Sequence, residues 1–163
     1  MSKKKRDIPV FSQPIIETHC HLDYLKDNPL DVTLANAKAA GVERIITIAV
    51  SPDNLNNVMS LVEQDDILWG TQGVHPHDAE KYTPETAKII RQQALHERIV
   101  AIGEIGLDYF YDNADREVQR QVFHEQLQIA ADLDLPVVIH SRDADDDTKR
   151  ERGAERTRTV GIG

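Results

Sequence analysis

The sequence predicts an α/β protein built on parallel strands, either a barrel or an open sheet, and three observations carry that expectation. Short apolar runs alternate with stretches of helical spacing about every 20 to 35 residues, the rhythm of βα units. The run Arg44-Ile45-Ile46-Thr47-Ile48-Ala49-Val50 is apolar almost throughout, as suits a parallel strand covered on both faces. Side chains of metal-ligand type, His19, His21, His75, Glu104 and His140, close the apolar runs. Functional side chains gathered from several strand ends onto one face are the habit of the (β/α)8 barrel, whereas an open doubly wound sheet concentrates its site at one switch point.

In chain order, residues 1 to 13 read as a basic tail, with Lys3-Lys4-Lys5-Arg6 a solvated run given no functional role. Strands are expected at 15 to 19, 44 to 50, 67 to 74, 99 to 104 and 136 to 140. Asn28 and Pro29 supply an N-cap and a first-turn proline for a helix whose Leu30, Leu34 and Ala37 share a face and which Gly41 closes. A longer helix is marked by the stripe Val118, Val122, Phe123, Leu127, Ala130 and Leu133, ending before Pro136. A partial barrel is therefore expected over 14 to 143. Residues 144 to 163 have few apolar side chains and the run Asp145-Asp146-Asp147, so they read as an atypical tail with no core helix or strand. Eight-stranded barrels take about 250 residues, and the chain is expected to hold about five βα units.

Composition narrows the function classes. The net charge is −9, which is not the footprint of a protein that holds nucleic acid by charge alone. An anionic substrate would need bound metal ions and a few local cations. No segment approaches the ~20 apolar residues that span a bilayer, and the basic start leads into Asp7 and Pro9, not an apolar signal region. The lone Cys20 excludes an intramolecular disulfide and fits a reducing, cytoplasmic setting.

The candidate site grows from residue type and spacing. His19 and His21, two apart in a strand, point to one face with Cα atoms roughly 6.5 Å apart, which suits two imidazoles on one ion. Cys20 faces the other way and reads as a packed small hydrophobe. Gly73-Val74-His75-Pro76-His77 puts two histidines around a proline, and His75 reads as a donor to a phosphoryl oxygen. In Gly103-Glu104-Ile105-Gly106-Leu107-Asp108-Tyr109 a carboxylate directly follows an apolar strand. Burying it unpaired would be costly, and a metal bridge or a general-base role removes that cost. Asp108 reads either as orienting a ligand or water or as capping its loop. His140 ends the fifth strand as a ligand, and Arg142 beside it reads as a phosphate clamp or a partner of Asp143. His96 and His124 read as surface residues.

Taken in order, Glu17-Thr18-His19-Cys20-His21-Leu22-Asp23, Gly73-Val74-His75-Pro76-His77, Gly103-Glu104-Ile105-Gly106-Leu107-Asp108-Tyr109 and Pro136-Val137-Val138-Ile139-His140-Ser141-Arg142 resemble the TatD family of metal-dependent deoxyribonucleases over roughly residues 14 to 144. The resemblance implies a TIM-type (β/α)8 barrel with two divalent metal ions (Mg, Mn or Zn) and hydrolysis of phosphodiester bonds in DNA. It implies that His19 and His21 bind one ion, His140 the other, that Glu104 bridges them, and that His75 lies against the substrate phosphate. Glu17 stands where the family usually has aspartate. The family's later H-C-F-S-G and E-T-D stretches have no counterpart, so the chain is expected to carry the N-terminal portion of the ligand set. Residues 144 to 163 look like a family helix that has lost its apolar positions, as a frameshift would produce.

Two other readings stand beside hydrolysis of a phosphodiester. One is an amidohydrolase-like enzyme on the same scaffold. Such enzymes commonly bridge their metals with a modified lysine, and no lysine follows a strand near Glu104. The other is an inactive partial barrel that at most binds metal, with open sheet edges prone to association.

Overall fold

A computed structural model describes residues 9, 11–154 and 159–162; the Lys3 to Arg6 run lies outside the described residues. Its frame is a parallel sheet of β1 (Ile15–Cys20), β2 (Val42–Thr47), β3 (Leu68–Gln72), β4 (Ile99–Asp108), β5 (Val137–Arg142) and β6 (Thr159–Ile162), in the spatial order β1-β2-β3-β4-β5-β6. Each strand lies beside its predecessor in the chain, with no reversal of order, which decides between the two expected architectures. This is an arc of a TIM-type barrel, with five βα units and a following strand.

The connecting helices are α1 (Leu30–Ala39), α2 (Leu55–Val62), α3 (Pro84–Gln93), α4 (Arg116–Asp132) and α5 (Asp145–Ala154). Helix α1 starts one residue later than the Asn28-Pro29 pair suggested. Pro29 itself flanks the helix with ψ 150°, and its carbonyl takes the Thr33 amide. Gly41 closes the segment at φ +95°, a conformation glycine adopts without penalty. Thr83 and Thr86 cap α3 reciprocally around Pro84. The Asp115 carboxylate receives the Glu117 and Val118 amides at the start of α4. The stripe expected on α4 is the buried face: Val122, Phe123, Leu127 and Ala130 are buried, with Val118 and Leu133 packed beside them.

Among the described residues after 143, residues 145–154 and 159–162 depart from expectation. Where a tail without a core element was predicted, α5 forms, and β6 pairs with β5 in parallel register, Val137 with Thr159 and Ile139 with Ile162. Three aspartates in the first turn of α5 favour its positive end. Ala144 and Thr148 are buried against the body. A terminal strand in a sheet needs backbone partners on one side only, and a count of apolar side chains does not register them.

The main core lies between the sheet and α2, α3 and α4, around Val58, Ile90, Ile102, Ile105, Phe123 and Leu127. A smaller cluster of Leu22, Leu34, Ile45 and Leu68 joins α1 to β2 and β3. Strand β4 runs to Asp108, four residues beyond the expected end, and is almost wholly buried. It packs tightly because it carries glycines. A Cβ on Gly103 would lie 2.6 Å from the Cβ of Val138, and one on Gly106 would lie 1.9 Å from the His140 carbonyl oxygen. These close approaches set Glu104, Asp108 and His140 side by side.

Candidate metal centre

Four strand ends deliver the predicted ligands to one rim: β1 brings His19 and leads into His21, the segment after β3 brings His75, β4 brings Glu104, and β5 brings His140. Glu104 Oε2 lies 3.4 Å from His19 Nε2, and Glu104 Oε1 lies 3.4 Å from His140 Nδ1. Two groups emerge, His19–His21–Glu104 and His75–Glu104–His140, and within each the ligand atoms all lie within 4.8 Å of one another. The buried Glu104 carboxylate belongs to both. Four facing imidazoles and a carboxylate with two oxygens to share are a donor set that fits divalent-metal binding.

The hydrogen bonds behind the rings fix which nitrogen faces the centre. His21 Nδ1 lies 3.1 Å from the Ile48 carbonyl, to which it donates, so Nε2 keeps a lone pair. His140 Nε2 lies 2.9 Å from Asp108 Oδ2 and donates to it, which frees Nδ1 toward Glu104. The third case is opposite in effect. His75 Nδ1 accepts the His77 amide at 3.1 Å, so a neutral His75 ring carries its proton on Nε2 and presents an N–H, not a lone pair. Burial pushes the His75 imidazole down to about 4, prevailing over the pull of Glu104, and keeps it neutral near pH 7.

Asp108 is the residue that sequence reasoning undervalued. It is fully buried. Its Oδ2 accepts from both His140 and His77 (3.0 Å), and its Oδ1 accepts the amides of Phe110 and Tyr111 at 3.1 and 2.8 Å. Burial alone would raise this carboxyl, but the Tyr111 amide and the two imidazoles hold it down at about 2. Glu104 behaves alike: burial would raise it, yet in acid, where the rings take up protons, the His140 hydrogen bond and the charges of His75 and His19 hold it below the ordinary range. His140 is raised, chiefly by its bond to Glu104, against the lowering effect of burial.

Two glutamines on α4 were not anticipated. Gln126 binds both polar groups of the Val74 main chain, accepting its N–H at 2.7 Å and donating to its C=O at 3.1 Å. Gln119 does the same for Asp108 at 2.9 and 3.1 Å. Each sets the backbone beside a site residue, as a neighbouring strand would. Their seven-residue spacing on the apolar face of α4 was the available signal, since polar side chains on a buried stripe need partners.

His77, given no firm role by sequence, joins the site through Asp108. The guanidinium of Arg142 stacks over Phe110 and Tyr111, 4.1 and 4.8 Å from the ring centroids. Cys20 is a packed thiol pushed up to about 12 by burial. His124 is exposed, and His96 is half-buried with its Nδ1 accepting the Arg98 amide.

A barrel arc with imidazoles and a shared carboxylate at the C-terminal strand ends defines the class of metal-dependent hydrolases. The chain belongs to the TatD family: the model for TatD related DNase matches residues 16–162. Metal-dependent hydrolase YabD of Bacillus subtilis, itself uncharacterized, is 37% identical over 145 residues, covering 86% of this chain and 57% of its own length. The 3'-5' ssDNA/RNA exonuclease TatD of Cronobacter sakazakii is 38% identical over 118 residues, 72% of this chain and 45% of that protein. The crystal structure of YjjV, a TatD homolog from Escherichia coli, superposes with a TM-score of 0.80 at 34% identity, covering 87% of this chain and 57% of that one. The chain thus spans about half the length of the curated relatives it matches. No helix among the described residues is long and apolar enough to cross a membrane.

Proposed function

We propose that this chain carries the N-terminal part of a two-metal phosphodiesterase centre whose substrate is DNA and which works in the cytoplasm. The observation that carries the reading is Glu104, one buried carboxylate common to both ligand groups. Divalent ions held by His19, His21, Glu104 and His140 would supply acidified water and offset the charge of a phosphate. The remaining work belongs to the side chains. Glu104 is ionised and ready to bridge. Asp108 holds His140 with its lone pair inward. His75 offers an N–H to a non-bridging phosphoryl oxygen, in a setting dry enough to strengthen that bond. The name borne by the Cronobacter relative, a single-strand exonuclease, supports nucleic acid as the substrate class.

The test is Glu104→Gln, read by metal titration and by hydrolysis of single-stranded DNA and of bis(p-nitrophenyl) phosphate with Mg2+, Mn2+ or Zn2+. The variant is expected to lose ion affinity by more than the ~10–100-fold typical when an outer partner of a ligand is removed, and to lose turnover. Metal-dependent cleavage that persists in the variant overturns the proposal.

A further inference from the structure

Beyond the ligand cluster, a line of flat side chains runs outward across the rim. The His75 and His77 rings lie 4.4 Å apart, His77 and Tyr111 5.6 Å, Phe110 and Tyr111 4.8 Å, and the Arg142 guanidinium covers Phe110 and Tyr111. Phe110 and Tyr111 are 55% and 54% exposed. Exposing two adjacent aromatic rings is unfavourable unless something covers them. Their backbone is not free to turn them inward, because Asp108 Oδ1 holds both amides. The same carboxylate holds His77 and His140 through Oδ2. One buried group therefore fixes the exposed rings at a set position relative to the metal histidines.

We propose that Tyr111, Phe110 and Arg142 form a stacking platform for a nucleobase of the single strand whose phosphate enters the metal centre. The inference rests on the phosphodiesterase reading and adds to it how the strand is held. Among the described residues Arg142 makes no salt bridge, so its charge stays available to the adjacent phosphate. Its plane and the two rings offer surfaces on which any base can stack. Base pairs in a duplex hide their faces, so such a platform favours unpaired strands. The acidic body of the chain offers little general attraction for a polyanion. Stacking beside the metal centre supplies contacts that charge does not.

The experiment measures binding of the full chain to a fluorescent oligothymidylate and to an abasic strand of equal length, in Ca2+ to hold down turnover. The wild type is expected to bind the base-bearing strand about 10-fold more tightly. Phe110→Ala/Tyr111→Ala is expected to bind both strands with the affinity the wild type shows for the abasic one. Tyr111→Phe, which keeps the ring, is expected to preserve most of the gap, and Leu95→Ala, an exposed apolar change elsewhere, to preserve all of it. Equal affinity of the wild type for the two strands, including no binding to either, overturns the platform, as does a gap that survives in the double variant. Hydrolysis of bis(p-nitrophenyl) phosphate separates the two proposals. Turnover without a stacking gap removes the platform alone, and a stacking gap without turnover removes the catalytic reading alone.

Discussion

Asp108→Asn changes one atom and tests how the site is organised. Four N–H groups converge on this carboxylate, two imidazole and two backbone. An asparagine has one oxygen and one NH2, so either orientation sets the NH2 against two donors. If the NH2 faces the rings, His140 and His77 must surrender their Nε2 protons or lose their partner. A His140 that moves its proton to Nδ1 no longer offers a lone pair beside Glu104. Losing two hydrogen bonds to a buried charge costs about 3–5 kcal/mol, taking ~1.5–3 for each with partial overlap. For a chain of this size that lowers Tm by roughly 6–20 °C. Ion affinity should fall about 10–100-fold. Calorimetric melting and isothermal titration with Mn2+ or Zn2+ read both quantities. A variant that melts lower yet binds metal as tightly as the wild type refutes the claim that Asp108 sets the His140 tautomer. One unchanged in both refutes the bonding scheme itself.

Further outcomes follow from the same geometry. Gln126→Leu keeps the apolar face of α4 but strips both partners from the buried Val74 main chain, and should destabilise by about 2–4 kcal/mol in chemical unfolding; a loss under ~0.5 kcal/mol would show that the clamp contributes nothing. Acid should unfold the metal-free chain in a defined window. The Asp108 carboxyl is depressed from 3.8 to about 2, so its contribution, about 2 kcal/mol, is fully present above pH 4 and fades as pH falls toward 2; Asp108→Asn should flatten that part of the stability profile. Ion affinity should also weaken as pH drops through the raised value of His140, because the ligand must be deprotonated to bind. Titrations across that range that show constant affinity would exclude His140 as a ligand.

Most of the frame was legible in the chain because parallel strands and their helices leave periodic marks. Five strands, the stripe on α4 and the glycine closing α1 all follow from local patterning of residues such as Ile45 to Val50 and Val122 to Ala130. The candidate ligand types were equally visible, since metal chemistry demands histidine and carboxylate in few arrangements, and the structure brings these side chains together. The end of β4 was missed because the apolar run was read as closing at Glu104, whereas Gly106 admits the neighbouring strand and the pairing continues to Asp108. Strand β6 was missed because its pairing lies in the backbone. What only the tertiary structure decided is relational. It placed one Glu104 between two imidazole groups, made Asp108 the anchor of His77 and His140, recruited Gln119 and Gln126 from a helix, and set the guanidinium of Arg142, the expected phosphate clamp, over Phe110 and Tyr111. Each depends on contacts between residues far apart in the chain, whose distances no local periodicity encodes.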